Sequence, residues 1–255
     1  MKLLEGKRGL IIGLANNRSI AWGVAQRCKE HGAELGFTYL NEALEKRVRP
    51  LAESVGSNLI VECDVQKDDD IVRLIDETEK HWGKLDFVVH SVAFAAADDL
   101  KGRFHLVSRE GFKLAMDVSA YSLLKVTAEA KRLMSDGGSI LTMTYYGAEK
   151  VVPNYRLMGV AKAALEASVR ELAVDLGSDW IRVNAISSGP IRTLAASGVA
   201  DFKALMSGFE ARAPLKRLVS IEDVGNAAVY LLSDMSRSVT GEIHYVDGGF
   251  NVTAA

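Results

Sequence analysis

Short apolar runs, each the length of one buried strand, recur seven times along this chain, at residues 8–13, 33–39, 58–63, 85–90, 139–144, 181–186 and 242–246. Between them, apolar side chains three and four residues apart predict helices over 19–30, 41–55, 68–82, 108–134, 154–176 and 220–233. Strands that alternate with helices imply βαβ units, and therefore a parallel sheet covered by helices on both faces. Right-handed crossovers leave few ways to wind such a chain. The expected fold is α/β, a doubly wound parallel sheet of about seven strands in one Rossmann domain over residues 1–255. With 48% hydrophobic residues the chain has enough apolar surface to fill both layers.

Composition excludes several other roles. Lys and Arg number 31 and Asp and Glu 33, so the net charge of −2 gives no reason to expect nucleic acid or an anionic membrane as partner. No apolar stretch approaches the ~18 residues of a spanning helix, and residues 1–8 lack the core of a signal peptide. Cys28 and Cys63 alone make no disulfide framework, and the five histidines show no metal-ligand spacing. A cytoplasmic enzyme without a metal is the expectation.

Two strand ends carry the first chemical signals. Gly13 closes the first strand directly before a helix, where backbone N–H groups and a helix N-terminus can receive a pyrophosphate. Ala15 and Ser19 are small there, although the loop lacks the GxGxxG pattern. Ser19 fits either a phosphate contact or an ordinary helix cap. Asp64 and Val65 follow the third strand. Asp64 suits either an adenine amino group or a turn. Leu40, at the second strand's end, offers nothing to a ribose hydroxyl and does not neutralise a 2′-phosphate, while Lys46, Arg47 and Arg49 can reach one from a helix face that is otherwise simply solvated. NADH is expected over NADPH.

The segment GSILTMTYYGAEKVVPNYRLMGVAKAALEA is the most informative. Tyr155 and Lys162 lie about two helical turns apart, so both are expected on one face. An ammonium beside a phenol favours the phenolate, which predicts a lowered Tyr155 pKa. Tyr145 ends the fifth strand, either as a second phenol in the site or as packing beside Tyr146.

The chain resembles the short-chain dehydrogenase/reductase superfamily and, within it, the bacterial NADH-dependent enoyl-acyl-carrier-protein reductases. The likeness runs from LEGKRGLIIGLANNRSIAWG through ECDV, VVHSVAFA and SREGFKLAMDVSAYS to IRVNAISSGPIRTLAASG and VDGGF. Ketone-reducing relatives carry Asn-Asn-Ala-Gly where this chain has His90-Ser91-Val92-Ala93, and a catalytic serine where it has Tyr145. The resemblance implies reduction of the 2,3 double bond of a trans-2-enoyl thioester on acyl carrier protein, in fatty acid elongation. Tyr145, Tyr155 and Lys162 would be catalytic. Gly13, Ser19, Ile20, Leu40, Asp64, Val65, Ser91, Val92, Lys162, Ile191 and Thr193 would bind the cofactor. Ala93, Ala95, Met158, Phe202 and Met206 would line the acyl pocket with the two tyrosines, and a mobile loop near 191–208 would cover it. Family members usually carry glycine in place of Ala93, and the extra methyl would crowd an aromatic inhibitor there. Apolar positions Val118, Tyr121 and Leu124 on one helix, and Leu165, Val169 and Leu172 on another, lie outside a single stripe. By likeness to related enzymes they imply a homotetramer.

Overall fold

The computed structural model describes residues 2–194, 196 and 201–253. The seven expected strands form as β1 (Arg8–Ile12), β2 (Glu34–Tyr39), β3 (Leu59–Glu62), β4 (Phe87–His90), β5 (Gly138–Thr144), β6 (Ile181–Ser188) and β7 (Ile243–Val246). They make one sheet in the order β3-β2-β1-β4-β5-β6-β7, with every pairing parallel. The helices are α1 (Ile20–Glu30), α2 (Glu42–Ser54), α3 (Asp68–Trp82), α4 (Arg109–Met116), α5 (Ser122–Ala130), α6 (Leu157–Leu176), α7 (Phe202–Arg212) and α8 (Ile221–Leu232).

Side chains alternate across a strand, so the central strands fill both layers at once, which is why they read as unbroken apolar runs. Ile11, Phe87 and Val89 pack with α1 and α8 on one face. Leu10, Ile12 and Val88 pack with α3, α5 and α6 on the other. Ser220 and Asp223 form a capping box at the start of α8. From β1 the chain winds outward through β2 and β3, and from β4 it winds the other way. The carboxyl ends of β1 and β4 therefore flank a crevice where neither connection covers the sheet.

Three expectations are corrected. The helix over 108–134 is broken by a π-helical turn at Asp117–Tyr121, whose register lets Ser119 reach Phe94 and Ser122 reach His90. α6 begins at Leu157, because Asn154 (φ 64°) and Arg156 (φ 42°) stand outside the right-handed helical region. Val118, Leu165 and Val169 belong to the core rather than to a second exposed stripe, whereas Phe112, Tyr121 and Leu124 are exposed. α7 was not foreseen. It is held at its far end by Phe209, stacked on Phe250 at 4.6 Å between ring centres, with the Arg212 guanidinium 4.8 Å from the centre of the Phe250 ring. No helix among the described residues is long and apolar enough to cross a membrane.

Candidate active site

The crevice begins at Gly13, whose φ of 98° is left-handed and whose ideal Cβ would stand 2.2 Å from the Ser91 carbonyl oxygen. Only glycine lets the end of β1 lie this close to the end of β4. Ser19 occupies the N-cap position of α1 without capping it by its side chain. Its Oγ instead accepts from the Ala15 and Asn16 amides, at 3.2 and 3.1 Å, which stiffens the loop around the helix start. No acidic side chain lies in the first turn of α1, so the positive end of its dipole stays uncompensated beside Gly13. Ile20, Ser91 and Val92 are half-buried around this mouth.

Leu40 is 45% exposed beyond β2. The turn role open to Asp64 is filled: its Oδ1 accepts from the Gln66 amide at 3.1 Å, while Val65 is buried beside it. Two of the cations available for a 2′-phosphate are engaged within α2. Lys46 pairs with Glu42 at 2.8 Å and Arg49 with Glu45 at 2.5 Å. A cofactor without that phosphate suits this edge better.

On the other side of the crevice, His90 is buried, with ring nitrogens 3.0 Å from Thr142 Oγ1 and 2.8 Å from Ser122 Oγ. Burial, reinforced by the Lys162 charge, pushes its pKa down to about 3, so it is a neutral strut at the end of β4. The following residues are pinned by Ser119, whose Oγ accepts from Phe94 N at 3.0 Å, lies 3.2 Å from the Phe94 carbonyl oxygen and stands 3.9 Å from Met158 Sδ. Ala93 and Ala95 are thereby held, half-buried, on either side of an exposed Phe94 above the buried Met158.

β5 delivers Tyr145, and the turn before α6 delivers Tyr155. The rings meet edge-on, with centres 4.8 Å apart and planes at 72°. Close backbone approach makes this possible. An added Cβ at Gly147 would lie 2.4 Å from the Tyr155 ring, and one at Gly159 would lie 2.7 Å from the Gly147 carbonyl oxygen. Tyr155 thus reaches its place from a turn, not from the helical face that Tyr-x6-Lys spacing implied. Lys162 is 5% exposed and donates to the Met143 carbonyl at 2.7 Å, two residues before Tyr145. Burial lowers its pKa to about 8 against the opposing Glu166 carboxylate.

The predicted acidification of Tyr155 is overturned. Burial, with Tyr145 and Glu166 adding to it, pushes that phenol well above the usual tyrosine value, and burial takes Tyr145 up to about 12. Both phenols therefore remain protonated donors across the physiological range. Thr144 and Glu166 also belong to this cluster, and the sequence reading passed over them. The Lys162–Glu166 spacing of four along α6 was the available signal.

Beyond β6, Ile191 packs on the core, and Thr193 Oγ1 accepts from the Ala196 amide at 3.1 Å. Phe202 and Met206 are half-buried on α7, with Arg192 Nε 3.4 Å from Met206 Sδ. Within the expected cover over 191–208, residues 195 and 197–200 lie outside the described residues.

A crevice opening beside Gly13, with paired phenols at the end of the neighbouring strand system, places the molecule among dinucleotide-dependent oxidoreductases of the short-chain dehydrogenase/reductase class. Comparison with known proteins narrows this. The family model described as enoyl-(acyl carrier protein) reductase matches residues 13–251, and the chain belongs to that family. A Rickettsia felis protein named enoyl-[acyl-carrier-protein] reductase [NADH] FabI is 57% identical over 250 residues, 98% of this chain and 96% of that protein. A Rhizobium meliloti enoyl-[acyl-carrier-protein] reductase [NADH] 1 is 58% identical over 98% of this chain and 92% of its own length. Among solved structures, the Bacillus cereus enoyl-acyl carrier protein reductase with NADP+ and indole naphthyridinone superposes with a TM-score of 0.98, at 50% identity and full coverage of both chains. The Anaplasma phagocytophilum reductase in complex with NAD gives 0.94 at 50% identity, covering 99% of this chain and 95% of that one.

Proposed function

We propose that Tyr145, Tyr155 and Lys162 carry the reaction of this family, NADH-dependent reduction of a 2-enoyl thioester held on acyl carrier protein in fatty acid elongation. This chain performs that reaction as a member of the family. The observation that carries the assignment of residues is the edge-on contact of two phenols at the end of β5, both of which burial favours in the neutral form. Reduction at carbon leaves negative charge on the thioester oxygen, and what that oxygen needs is hydrogen-bond donors already in place. Two phenols supply them. A carbonyl reduction instead needs its own new alkoxide protonated, and the serine that serves it is replaced here by Tyr145.

The crevice fits the dinucleotide: the space a Cβ would take at Gly13 is left open, and the positive end of α1 faces it without an acid. Gly13, Ser19 and Ile20 hold the pyrophosphate, Leu40, Asp64 and Val65 border the adenosine, and Ser91 and Val92 border the ribose. Ile191 and Thr193 hold the carboxamide side. When bound, NADH supplies the hydride that adds to the β-carbon of the enoyl group. Lys162 anchors the nicotinamide ribose through its ammonium. Tyr155, supported by Tyr145, donates to the enolate oxygen, and the α-carbon then takes a proton from solvent water to give the saturated thioester. Ala93, Ala95, Met158, Phe202 and Met206 shape the acyl slot under the 191–208 segment.

The test supplies crotonyl and β-ketoacyl thioesters separately with NADH or NADPH and follows nicotinamide absorbance. Turnover is expected only with the enoyl substrate and preferentially with NADH, and Tyr155→Phe is expected to lower kcat about 100-fold without loss of NADH binding. Turnover of the β-ketoacyl substrate alone removes the assignment. The exposed Phe112, Tyr121 and Leu124 around the π turn, and Val160 and Val174 on α6, give a wide apolar surface. We assign it to a homotetramer acting in the cytoplasm. Light scattering at micromolar concentration is expected to read four times the chain mass, and a monomer rejects that assembly.

A further inference from the structure

α6 is fastened to the end of β5 by two parallel hydrogen bonds. Lys162 Nζ donates to the Met143 carbonyl at 2.7 Å, and Thr144 Oγ1 donates to Glu166 Oε1, also at 2.7 Å. Lys162 and Glu166 are one helical turn apart on the same face. All four residues are less than a tenth exposed, Met143 at 7%, Thr144 at 4%, Lys162 at 5% and Glu166 at 6%. A carboxylate this deep is costly to keep unless it does something its neighbours need. Among the described residues its hydrogen-bond donor is the neutral Thr144 hydroxyl, and the charges that favour its ionised form are the Arg170 and Lys162 cations, one helical turn to either side of it.

We propose that Glu166 is a positioning residue of the reductase: its carboxylate keeps Lys162 in the ammonium form that grips the ribose, and through Thr144 it fixes the strand end that carries Tyr145. The inference rests on the ribose role given to Lys162 above. Glu166 faces several charged and titratable groups. Burial raises its pKa; the Thr144 hydrogen bond works against that, Glu149 from the turn after β5 adds to it, and Arg170 and Lys162 on α6 favour the carboxylate. Its field reaches Tyr155 and, on β7, Tyr245, which is itself hydrogen-bonded to Glu149. On the far side of Lys162 stands His90, held neutral by burial. Burial pulls Lys162 down to about 8, and Glu166 works against that pull. Removing the carboxylate's charge must therefore lower the lysine further. An activity that needs the ammonium then fails at a lower pH.

The experiment measures kcat/KM for a crotonyl thioester against pH, at limiting NADH, in three forms of the enzyme. Glu166→Gln removes the charge while its amide oxygen still accepts from Thr144. Thr144→Val removes the hydrogen bond and keeps the charge. The alkaline limb of the wild type is expected near pH 8, and in Glu166→Gln about one unit lower. Thr144→Val is expected to lower kcat with the limb unmoved. If Glu166→Gln does not fold, Glu166→Asp, which keeps the charge but draws it back from Thr144, is expected to retain the wild-type limb.

Coincident limbs in wild type and Glu166→Gln overturn the proposal, because burial then keeps Glu166 protonated throughout. Equal displacement in Thr144→Val, or a displaced limb in Glu166→Asp, overturns it as well, since the hydrogen bond alone then accounts for the effect. A Lys162→Met enzyme that still turns over with the same limb would instead remove the ribose role of Lys162, so the two failures are distinguishable.

Discussion

Lys162→Ala is expected to lower kcat/KM for the enoyl thioester about 1,000-fold and to raise the KM for NADH. The ammonium is buried and already partnered at 2.7 Å by the Met143 carbonyl, so it is held where the segment bearing Tyr145 and the turn bearing Tyr155 converge. Charge-assisted hydrogen bonds are worth roughly 1.5–3 kcal/mol each. Losing two to a ribose corresponds to about 3–6 kcal/mol of transition-state stabilisation, or roughly two to four decades in rate. Stability is expected to fall as well, because the variant leaves the Met143 carbonyl unpaired and takes one of its compensating cations from Glu166. Initial rates from nicotinamide absorbance and a thermal melt of the same preparation check both statements. A variant within tenfold of wild type at pH 7 would show that the lysine serves only to fasten α6 to β5.

Gly13→Ala is expected to abolish NADH binding and to lower the melting temperature by roughly 6–12 °C. A methyl carbon at this position would stand 2.2 Å from the Ser91 carbonyl oxygen and 3.1 Å from Val92 Cγ2, on a backbone with φ of 98°. The left-handed conformation costs roughly 1–2 kcal/mol. Relief of the clash must push the ends of β1 and β4 apart, against the Ser91 N to Ile12 O hydrogen bond of 2.9 Å. The sum, about 3 kcal/mol, converts to that melting shift at 2–4 °C per kcal/mol for a chain of this size. Gly56→Ala is the control. Its φ of 77° carries the same handedness penalty, but only the Lys29 ammonium lies near, at 3.7 Å. Gly56→Ala is expected to lose only a few degrees and to bind NADH normally. Fluorescence titration with NADH separates the two variants, and equal affinities would show that the crevice tolerates the wider spacing.

The strands were legible because each central one serves two cores, so β1 and β4 are apolar at nearly every position and need no partner to be recognised. Gly13 was legible for a related reason: a glycine between an apolar strand and a helix has few other uses. The starts of α6 and α7 were not. Asn154 and Arg156 adopt positive φ in a segment whose local pattern is helical, and α7 is held by Phe209 stacking on Phe250, forty-one residues further along. Tyr155 and Lys162 each border the end of β5, Tyr155 through its contact with Tyr145 and Lys162 through the Met143 carbonyl. The Gly147–Gly159 approach seats Tyr155 on a turn, so the helix face read from the spacing is not what places it.

What the chain's order of residues determined alone was the parallel sheet, the glycine at the crevice and which side chains are candidates for the reaction, since periodicity and residue type act within a few neighbouring positions. Tertiary structure decided the protonation of those side chains. A phenol beside a lysine ought to be acidic in water, yet desolvation by distant segments, with a buried glutamate adding to it, pushes the Tyr155 phenol up; the same desolvation draws Lys162 down to about 8 against that glutamate. Electrostatic energy depends on what surrounds a group in three dimensions, and no local spacing encodes that.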